Sequence, residues 1–418
     1  MKKFLALPYI ISLLAILFFS TLVRLFNLGF PAGYVFDETY HVPAIRLIAE
    51  GDQRAFEWWH RPIYSPDNHY WLHPPLAKYI QASFYNLGHG SVVSWRIGSV
   101  VFGLLGIILV YVLAILLTNS PLVGLLSALL LSLDGLWLVQ SRIAMNDVFV
   151  SVFILLVSIS YLLFLKSRQP FLLILTGSLL GVSLATKWTA IFFILGLIFF
   201  EVINIFKVKN FKLLPLVIFS LLVLPFFVYI FSYAPVLLSG KSFSFLVDLH
   251  KNIFYYQFNR DNLHFYQSLP WQWILNLRSV WYWTNGQTQN IYLLNNPLLV
   301  IFYLFSLFFV VTEILKNKKS LSLTYLLFFY ILSWSGWLIS PRILFYYHYL
   351  PAIPFLAVMT AIVIKNLYFN NKFQGMFLFL FNISLLVAFF WLYYPLWVGL
   401  PVSQDLYQAL YLLLPSWK

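Results

Sequence analysis

The chain has 418 residues, of which 61% are hydrophobic and 9% are charged. In a soluble domain about a quarter of the residues are charged, so this composition excludes a soluble protein and predicts a chain embedded in a bilayer. The formal net charge of +13 comes from cations in short clusters between apolar runs. That distribution is typical of membrane topology signals and argues against nucleic-acid binding.

Apolar runs of membrane-spanning length dominate the chain. An α-helix needs about 20 apolar residues to cross a bilayer, and eleven runs approach that length. They cover residues 4–24, 96–117, 121–138, 148–165, 171–186, 188–206, 213–233, 297–315, 321–339, 343–364 and 374–397. The sequence therefore predicts an all-α polytopic membrane protein in which residues 1–418 form a single transmembrane domain.

The positions of lysine and arginine predict how these helices are oriented. Cytoplasmic connections carry an excess of both residues, and a first helix that enters from the cytoplasm places all the basic clusters on that side. The clusters lie at residues 2–3, 166–168, 207–212, 316–319 and 365–372. Two long loops, 25–95 and 234–296, and two short turns, 140–147 and 340–342, then face outward. Because all eight histidines and most carboxylates lie in or near that side, we expect the chemistry on the extracytoplasmic face.

Two short amphipathic helices are predicted in the first outer loop. Apolar side chains at residues 44–48 share one side of a helix that ends near Gly51. A second apolar stripe at helical spacing covers residues 76–87, between Pro75 and Gly88. Both patterns fit helices that lie in the membrane interface, and they fit ordinary loop helices packed on the bundle equally well.

Asp37 and Glu38 stand side by side immediately before the first of these helices. A carboxylate close to a membrane surface can accept a proton from an alcohol, and partial burial raises its pKa toward a value useful for that role. A solvated or helix-capping acidic pair explains the same two residues without chemistry. Asp37 and Glu38 are our candidates for catalysis.

A second group of candidates consists of polar side chains near the outer ends of apolar runs. Charged groups in such positions are costly unless they are solvated, paired or used, and arginine and lysine are common ligands of phosphate. Ion pairs that close a turn and lysines that snorkel to the interface are the structural alternatives. If the cations converge, they form a pocket for a phosphodiester beside the acidic pair. The candidate residues for donor binding are Arg142, Asp147, Lys187, Arg342, His73 and His348.

The second outer loop adds a third group, composed of His264, Trp271 and Trp273. These side chains either line a groove for an acceptor or serve as an aromatic belt at the membrane interface. We expect the chemistry to require no cofactor, because cations can balance the charge of a leaving phosphate, although a divalent cation is compatible with it.

Six motifs follow one another along the chain. They are Phe36-Asp37-Glu38, His73-Pro74-Pro75-Leu76-Ala77-Lys78, Leu133-Asp134-Gly135 leading to Gln140-Ser141-Arg142 and Asp147, Lys187-Trp188, His264-Phe265-Tyr266-Gln267-Ser268 with Pro270-Trp271-Gln272-Trp273, and Tyr347-His348-Tyr349-Leu350-Pro351. In order and topology this set resembles the protein O-mannosyltransferase family over nearly the whole chain. The resemblance implies a membrane glycosyltransferase of the GT-C type, which moves mannose from polyprenyl (dolichyl) phosphate mannose to Ser or Thr of a translocated protein.

The same resemblance implies roles for individual residues. Asp37 is the catalytic base, with Glu38 assisting, and Arg142, Lys187 and Arg342 hold the donor phosphate. Eukaryotic members carry a β-trefoil MIR domain in the later outer loop, which is far too short here to contain one. We therefore expect a compact prokaryotic member, integral to the plasma membrane, with its active site on the extracytoplasmic face.

Two other functions stay open at the level of sequence. A GT-C transferase that uses another lipid-linked sugar and a lipid or glycan acceptor fits the same motifs. A polytopic transporter or flippase is expected to have ionisable residues deep in its spans, broken helices near mid-membrane and internal repeats. The candidates in this chain instead cluster near one face.

Overall fold

The computed structural model of the chain describes residues 7–59, 71–258, 264–316, 320–368, 374–408 and 414–417. Within these residues, nine helices are long and apolar enough to cross a membrane. They are Leu7–Leu25, Val92–Thr118, Asp147–Ser167, Trp188–Val208, Phe211–Leu238, Pro297–Lys316, Leu321–Ile339, Tyr346–Tyr368 and Gly375–Val398. The two remaining predicted spans correspond to shorter apolar helices, Pro121–Ser132 and Pro170–Leu184. The predicted all-α polytopic fold is confirmed.

The α-helices are numbered here in chain order. Their bounds are α1 Leu7–Leu25, α2 Glu38–Ala49, α3 Leu76–Leu87, α4 Val92–Thr118, α5 Pro121–Ser132, α6 Gly135–Gln140, α7 Asp147–Ser167, α8 Pro170–Leu184, α9 Ile191–Val208, α10 Leu214–Ile218, α11 Leu224–Phe231, α12 Ala234–Leu238, α13 Phe243–Phe258, α14 Pro270–Ile274, α15 Pro297–Lys316, α16 Leu321–Trp334, α17 Ile353–Tyr368, α18 Gln374–Val398 and α19 Gln404–Leu406. Short 3₁₀ segments cover Gln53–Phe56, Trp188–Ala190, Phe211–Leu213, Ser335–Ile339, Tyr346–Ala352 and Pro415–Trp417, and Phe219–Val223 is a π-helical turn. The predicted basic residues at 2–3, 318–319 and 372 lie outside the described residues.

Helix boundaries follow local sequence signals, as the turn between α4 and α5 shows. Asn119 ends α4 in the left-handed conformation, with φ at +52°, which asparagine tolerates better than most residues. The Ser120 side chain then accepts a hydrogen bond from the Val123 N–H, and Pro121 is the first residue of α5. Capping at both ends makes this connection two residues long.

Burial separates central spans from peripheral ones. In Asp147–Ser167 and Tyr346–Tyr368, 72% and 78% of the residues in an 18-residue apolar stretch are buried. The corresponding share is 17% in both Leu7–Leu25 and Gly375–Val398. The peripheral spans expose large apolar side chains such as Phe18, a surface that suits lipid. The two central spans therefore supply a rigid frame, and both carry candidate site residues.

The first outer loop contains the two predicted short helices, α2 and α3, with bounds close to those expected. A two-stranded antiparallel hairpin, β1 Val280–Thr284 and β2 Asn290–Leu293, departs from the all-helical prediction. Its register is irregular between Trp281 and Trp283. The hairpin is small, and it packs against the turn that carries the acidic motif.

Candidate active site

The acidic motif lies in a sharp turn that leads into α2. Phe36 has a left-handed backbone, with φ at +48°, which is uncommon for a bulky residue and marks a constrained turn. Its ring stacks on Tyr282 with 4.5 Å between centroids, and its N–H donates to the Tyr282 carbonyl at 3.1 Å. The hairpin thereby fixes the direction of the next residue, Asp37, which is half-buried directly before α2.

Glu38, the second acid of the motif, is fully buried, and its carboxylate accepts four hydrogen bonds. Arg96 on α4 donates two of them, at 2.7 and 2.9 Å. The N–H groups of Val35 and Ala144 donate the other two, each at 2.9 Å. Glu38 therefore joins the start of α2 to α4 and to the turn before α7. This arrangement supports a positioning role, in which Glu38 assists by holding Asp37 in place.

Lys187 links Asp147 to Asp37. Its ammonium nitrogen lies 2.6 Å from Asp147 Oδ1, and both side chains are buried. The same nitrogen lies over the Tyr347 ring, 5.2 Å from the centroid, in a cation–π arrangement. The Tyr347 hydroxyl in turn donates to Asp37 Oδ2 at 3.5 Å. The structure thus brings Asp37, Asp147 and Lys187 together from three distant parts of the chain.

The electrostatic surroundings of Asp37 suit a proton acceptor near neutral pH. Burial raises the pKa of the Asp37 carboxyl to about 7. The positive charges of Lys187 and Arg342 oppose this shift, while the negative charge of Asp147 adds to it. Burial also lowers the pKa of Lys187, and the attraction of Asp147 works in the other direction. Asp37 is therefore a stronger base than an ordinary aspartate.

A cavity of about 500 Å³ is lined by Lys187 and Arg342, whereas Asp37 and Asp147 are not among its described lining residues. His73, Lys187, His250 and Arg342 supply its charged or imidazole groups. Most of the remaining wall is apolar or aromatic and includes Leu184, Trp188, Ile191, Phe192, Phe226 and Trp337. Its volume falls in the usual range for small-ligand sites. An apolar cavity with cations in one part of its wall fits a lipid that carries a phosphate head group.

Arg342 and His73 contribute to this wall in different ways. Arg342 is half-buried and donates a short hydrogen bond to the side-chain oxygen of Gln257. His73 is buried and stacks on His41, with 6.2 Å between ring centroids. Burial and the nearby charge of Lys187 hold the pKa of His73 well below its usual value. His73 is thus a neutral imidazole at physiological pH, and Arg342 is the cation with the more accessible position.

Arg142 has a different environment from that expected for a phosphate ligand. Its guanidinium donates to the carbonyls of Val23, Arg24 and Phe26, at 3.1, 2.6 and 2.7 Å. These carbonyls belong to the C-terminal end of α1, where a cation is favourable. Among the described lining residues of the 500 Å³ cavity, Arg142 is absent. The expected convergence of three cations is therefore reduced to Lys187 and Arg342.

The other predicted ligands divide into packed and accessible side chains. His348 and Trp273 are 2% and 1% exposed and stack on each other at 6.1 Å, so both belong to the core in this structure. Trp271 is 49% exposed. His264 is exposed and packs against Phe345 at 4.9 Å between ring centroids. Only the accessible pair is positioned to meet an acceptor without rearrangement.

Sequence reasoning did not identify Arg96, Tyr347 and Gln257 as site residues. Arg96 begins an apolar run, and a buried cation there requires an acidic partner, which was an available signal. Tyr347 stands in one of the six motifs, but its contact with Lys187 depends on tertiary structure. Gln257 lies in an ordinary amphipathic segment, and no local pattern distinguishes it.

Comparison with solved structures defines the class of fold. The S. cerevisiae protein O-mannosyltransferase Pmt1–Pmt2 complex bound to the sugar donor matches with a TM-score of 0.84 and 15% identity, over 99% of this chain and 93% of that chain. ArnT from Cupriavidus metallidurans bound to undecaprenyl phosphate matches with a TM-score of 0.61 and 14% identity, over 91% and 63%. The chain therefore has the fold of the GT-C membrane glycosyltransferases.

Comparison of sequences then identifies the family. The dolichyl-phosphate-mannose-protein mannosyltransferase profile matches residues 14–237, and the profile for the C-terminal four-helix region of protein O-mannosyltransferases matches residues 242–417. The polyprenol-phosphate-mannose–protein mannosyltransferase of Mycolicibacterium smegmatis is 25% identical, over 96% of this chain and 91% of the relative. Its Corynebacterium glutamicum counterpart is 23% identical, over 92% and 88%. The chain belongs to the dolichyl-phosphate-mannose-protein mannosyltransferase family. Because this is a family of glycosyltransferases, its membership argues against the transporter alternative.

The Glu38–Arg96 pair generates a prediction about stability. Glu38→Gln keeps the shape of the side chain but leaves Arg96 buried without a countercharge, which costs roughly 3–5 kcal/mol. We expect a clear fall in the thermal unfolding midpoint of the purified protein. Asp37→Asn is the matched control and should keep the wild-type midpoint, because burial already disfavours the charged form of Asp37. Equal midpoints for the two variants would contradict the positioning role of Glu38.

Proposed function

We propose that this protein is an inverting glycosyltransferase that moves mannose from a polyprenyl phosphate donor to a Ser or Thr hydroxyl of a translocated protein. The observation that carries the proposal is the position of Asp37, a base with a pKa raised to about 7. The Tyr347 side chain connects Asp37 to Lys187, and Lys187 lines an apolar cavity together with Arg342. The names of the relatives support both the mannosyl donor and the protein acceptor.

In this proposal the lipid donor occupies the 500 Å³ cavity. Its isoprenoid tail contacts the apolar wall, and its phosphate binds between Lys187 and Arg342. Charge-assisted hydrogen bonds from two cations are strong in a site shielded from water. Asp147 keeps the Lys187 ammonium in place before the donor arrives, since the two groups are 2.6 Å apart.

Transfer then occurs in a single displacement. Asp37 accepts the proton of the acceptor hydroxyl as the oxygen attacks the anomeric carbon from the face opposite the phosphate. The bond between that carbon and the phosphate oxygen breaks, and polyprenyl phosphate leaves with its charge balanced by Lys187 and Arg342. The configuration at the anomeric carbon inverts. Because side chains supply the positive charge, the step as proposed requires no metal, although a divalent cation would be compatible with it.

The acceptor side of the site is proposed to lie beside Phe36, on the aromatic cluster that leads to the second outer loop. Phe36 precedes the base, and its ring packs edge-on against His264 at 6.4 Å and Phe345 at 5.9 Å. His264 and the half-exposed Trp271 are retained as acceptor-binding residues. The orientation proposed from the basic loops puts this side on the extracytoplasmic face of a prokaryotic plasma membrane.

The first functional prediction concerns the base. Asp37→Asn removes the proton acceptor while it keeps the size of the side chain. Transfer to a Ser/Thr peptide should therefore fall by a factor of about 10² or more, the scale of general base catalysis. Binding of undecaprenyl phosphate should be retained. Normal turnover by Asp37→Asn would remove the assignment.

The pH dependence follows from the same carboxylate. Only ionised Asp37 accepts a proton, and burial raises its pKa to about 7. The rate constant kcat/KM for the donor, measured with the wild-type protein, should therefore rise with pH through about 7 and level off above it. An acidic limb centred near the ordinary aspartate pKa of about 4 would argue that another group is the base.

Arg342 tests the phosphate site. Arg342→Ala should weaken binding of undecaprenyl phosphate by about tenfold to a hundredfold, which corresponds to the loss of a hydrogen bond to a charged group. Arg278→Ala is a matched control, because Arg278 donates to the Phe265 carbonyl and stacks on the Phe265 ring. Unchanged affinity in Arg342→Ala would contradict the phosphate role.

The acceptor class is decided by one direct assay. Purified protein is incubated with radiolabelled polyprenyl phosphate mannose, a Ser/Thr-rich peptide and, in a parallel reaction, a lipid acceptor. Label on the peptide supports protein mannosylation. Label on the lipid alone would instead establish the alternative GT-C function, transfer to a lipid acceptor.

A further inference from the structure

Gln257 joins two walls of the donor cavity from the last turn of α13. Its side-chain oxygen accepts a short hydrogen bond from Arg342 Nη1, and its amide nitrogen donates to the Leu72 carbonyl at 3.2 Å. Leu72 precedes His73, and Gln257, His73 and Arg342 all line the cavity. A single neutral amide therefore engages the cation that the proposed function assigns to the donor phosphate.

The last turn of the helix that carries Gln257 contains no buried residue. Of the 16 residues of α13, three are buried, namely Leu246, Leu249 and Ile253. Beyond Ile253 the helix exposes Tyr255 by 71% and Phe258 by 51%. Elements with few buried contacts open at low free-energy cost, so the two hydrogen bonds of Gln257 matter for the position of this last turn.

A second cavity, of about 540 Å³, adjoins the first along the same face of α13. The two cavities share four lining residues, Phe226, Tyr229, His250 and Phe254. The partition between the cavities is therefore thin. Phe254, one turn before Gln257, is one of these four residues. Movement of the end of α13 would therefore shift the partition and widen the path along which a long isoprenoid chain can enter.

We propose that Gln257 is a positioning residue that holds Arg342 in the empty site and yields it to the phosphate of the lipid donor. Binding of the phosphate then releases the last turn of α13 from Arg342. The inference rests on the proposed function, because it takes the phosphate to bind at Arg342.

The physical reason is competition for one guanidinium. A phosphate forms charge-assisted, often bidentate hydrogen bonds with arginine, whereas a carboxamide offers one neutral acceptor. A guanidinium has five N–H donors, and Gln257 engages the Nη1 group. A phosphate that binds through Nη1 displaces Gln257 and must first break the existing hydrogen bond. Linkage is reciprocal, so a contact present only in the empty state weakens donor binding.

Removal of the amide gives an outcome opposite to that of an ordinary ligand contact. Gln257→Ala should bind undecaprenyl phosphate about three- to tenfold more tightly than the wild type, somewhat less than the full scale of a hydrogen bond to a charged group, because water can replace the amide as acceptor. Unchanged or weaker binding would overturn the proposal.

Inorganic phosphate provides a second arm of the experiment. A parallel gain with inorganic phosphate identifies competition for the head group, whereas a gain confined to the lipid overturns it in favour of an effect on the tail alone.

Two controls separate the proposed competition from a general change in α13. Asn252→Ala removes an amide on the same helix that donates to the Asp248 carbonyl at 2.8 Å, and it should leave affinity unchanged. In an Arg342→Ala background, Gln257→Ala should have no further effect on affinity. Tighter binding in Asn252→Ala, or a persistent gain without Arg342, would overturn the proposal.

Release of the helix end can be measured directly, because the chain contains no cysteine. Spin labels at Tyr255→Cys and Leu87→Cys occupy positions that are 71% and 79% exposed. Undecaprenyl phosphate should change their distance distribution, and Arg342→Ala should abolish the change. An unaltered distribution with bound lipid overturns the release. Failure of the proposed function is distinguishable, since it appears as absence of transfer, or of lipid-phosphate binding, in the wild-type protein itself.

Discussion

The buried ion pair between Glu38 and Arg96 is the contact on which the site depends. Both side chains are at most 1% exposed, and a charge removed from water needs a partner and further hydrogen bonds. Glu38 satisfies this with donors from α4, from its own turn and from the turn before α7. The two adjacent acids thus have different roles. Glu38 uses its acceptor capacity in structural hydrogen bonds, which leaves Asp37 available to accept a proton.

Charge balance within the protein stabilises the buried Lys187. Its ammonium group is neutralised by Asp147 at 2.6 Å. An arriving phosphate then adds negative charge near Asp37. A like charge disfavours the ionised carboxylate and makes it a better proton acceptor. Donor binding and the strength of the base are therefore coupled through electrostatics, with Lys187 setting how large the effect is.

The sequence predicted those features that depend on local pattern. Apolar run length located the spans, and helical spacing with Pro75 and Gly88 located α3. Charges in apolar surroundings made Asp37 and Lys187 candidates, because few other residues there are ionisable, and the structure brings the two close together. Arg142 shows the limit of this reasoning. A pattern shows that a cation lies at a helix end, but only tertiary structure shows that backbone carbonyls surround it. The β-hairpin was missed for a related reason, since its strands are short and lie between apolar helices.

The distribution of rigidity around the cavity follows from what a lipid-dependent transferase must do. Proton transfer and phosphate recognition require groups fixed to a fraction of an ångström. The most buried spans supply them, with Asp147 at the start of one and Tyr347 in the other. Exchange of a long lipid instead requires a wall that moves, and α13 has few buried residues. Arg342 lies where these walls meet, because it lines the cavity and is hydrogen-bonded to α13. An arginine in this position can couple phosphate binding to the position of α13 while Asp37, Asp147 and Lys187 stay fixed.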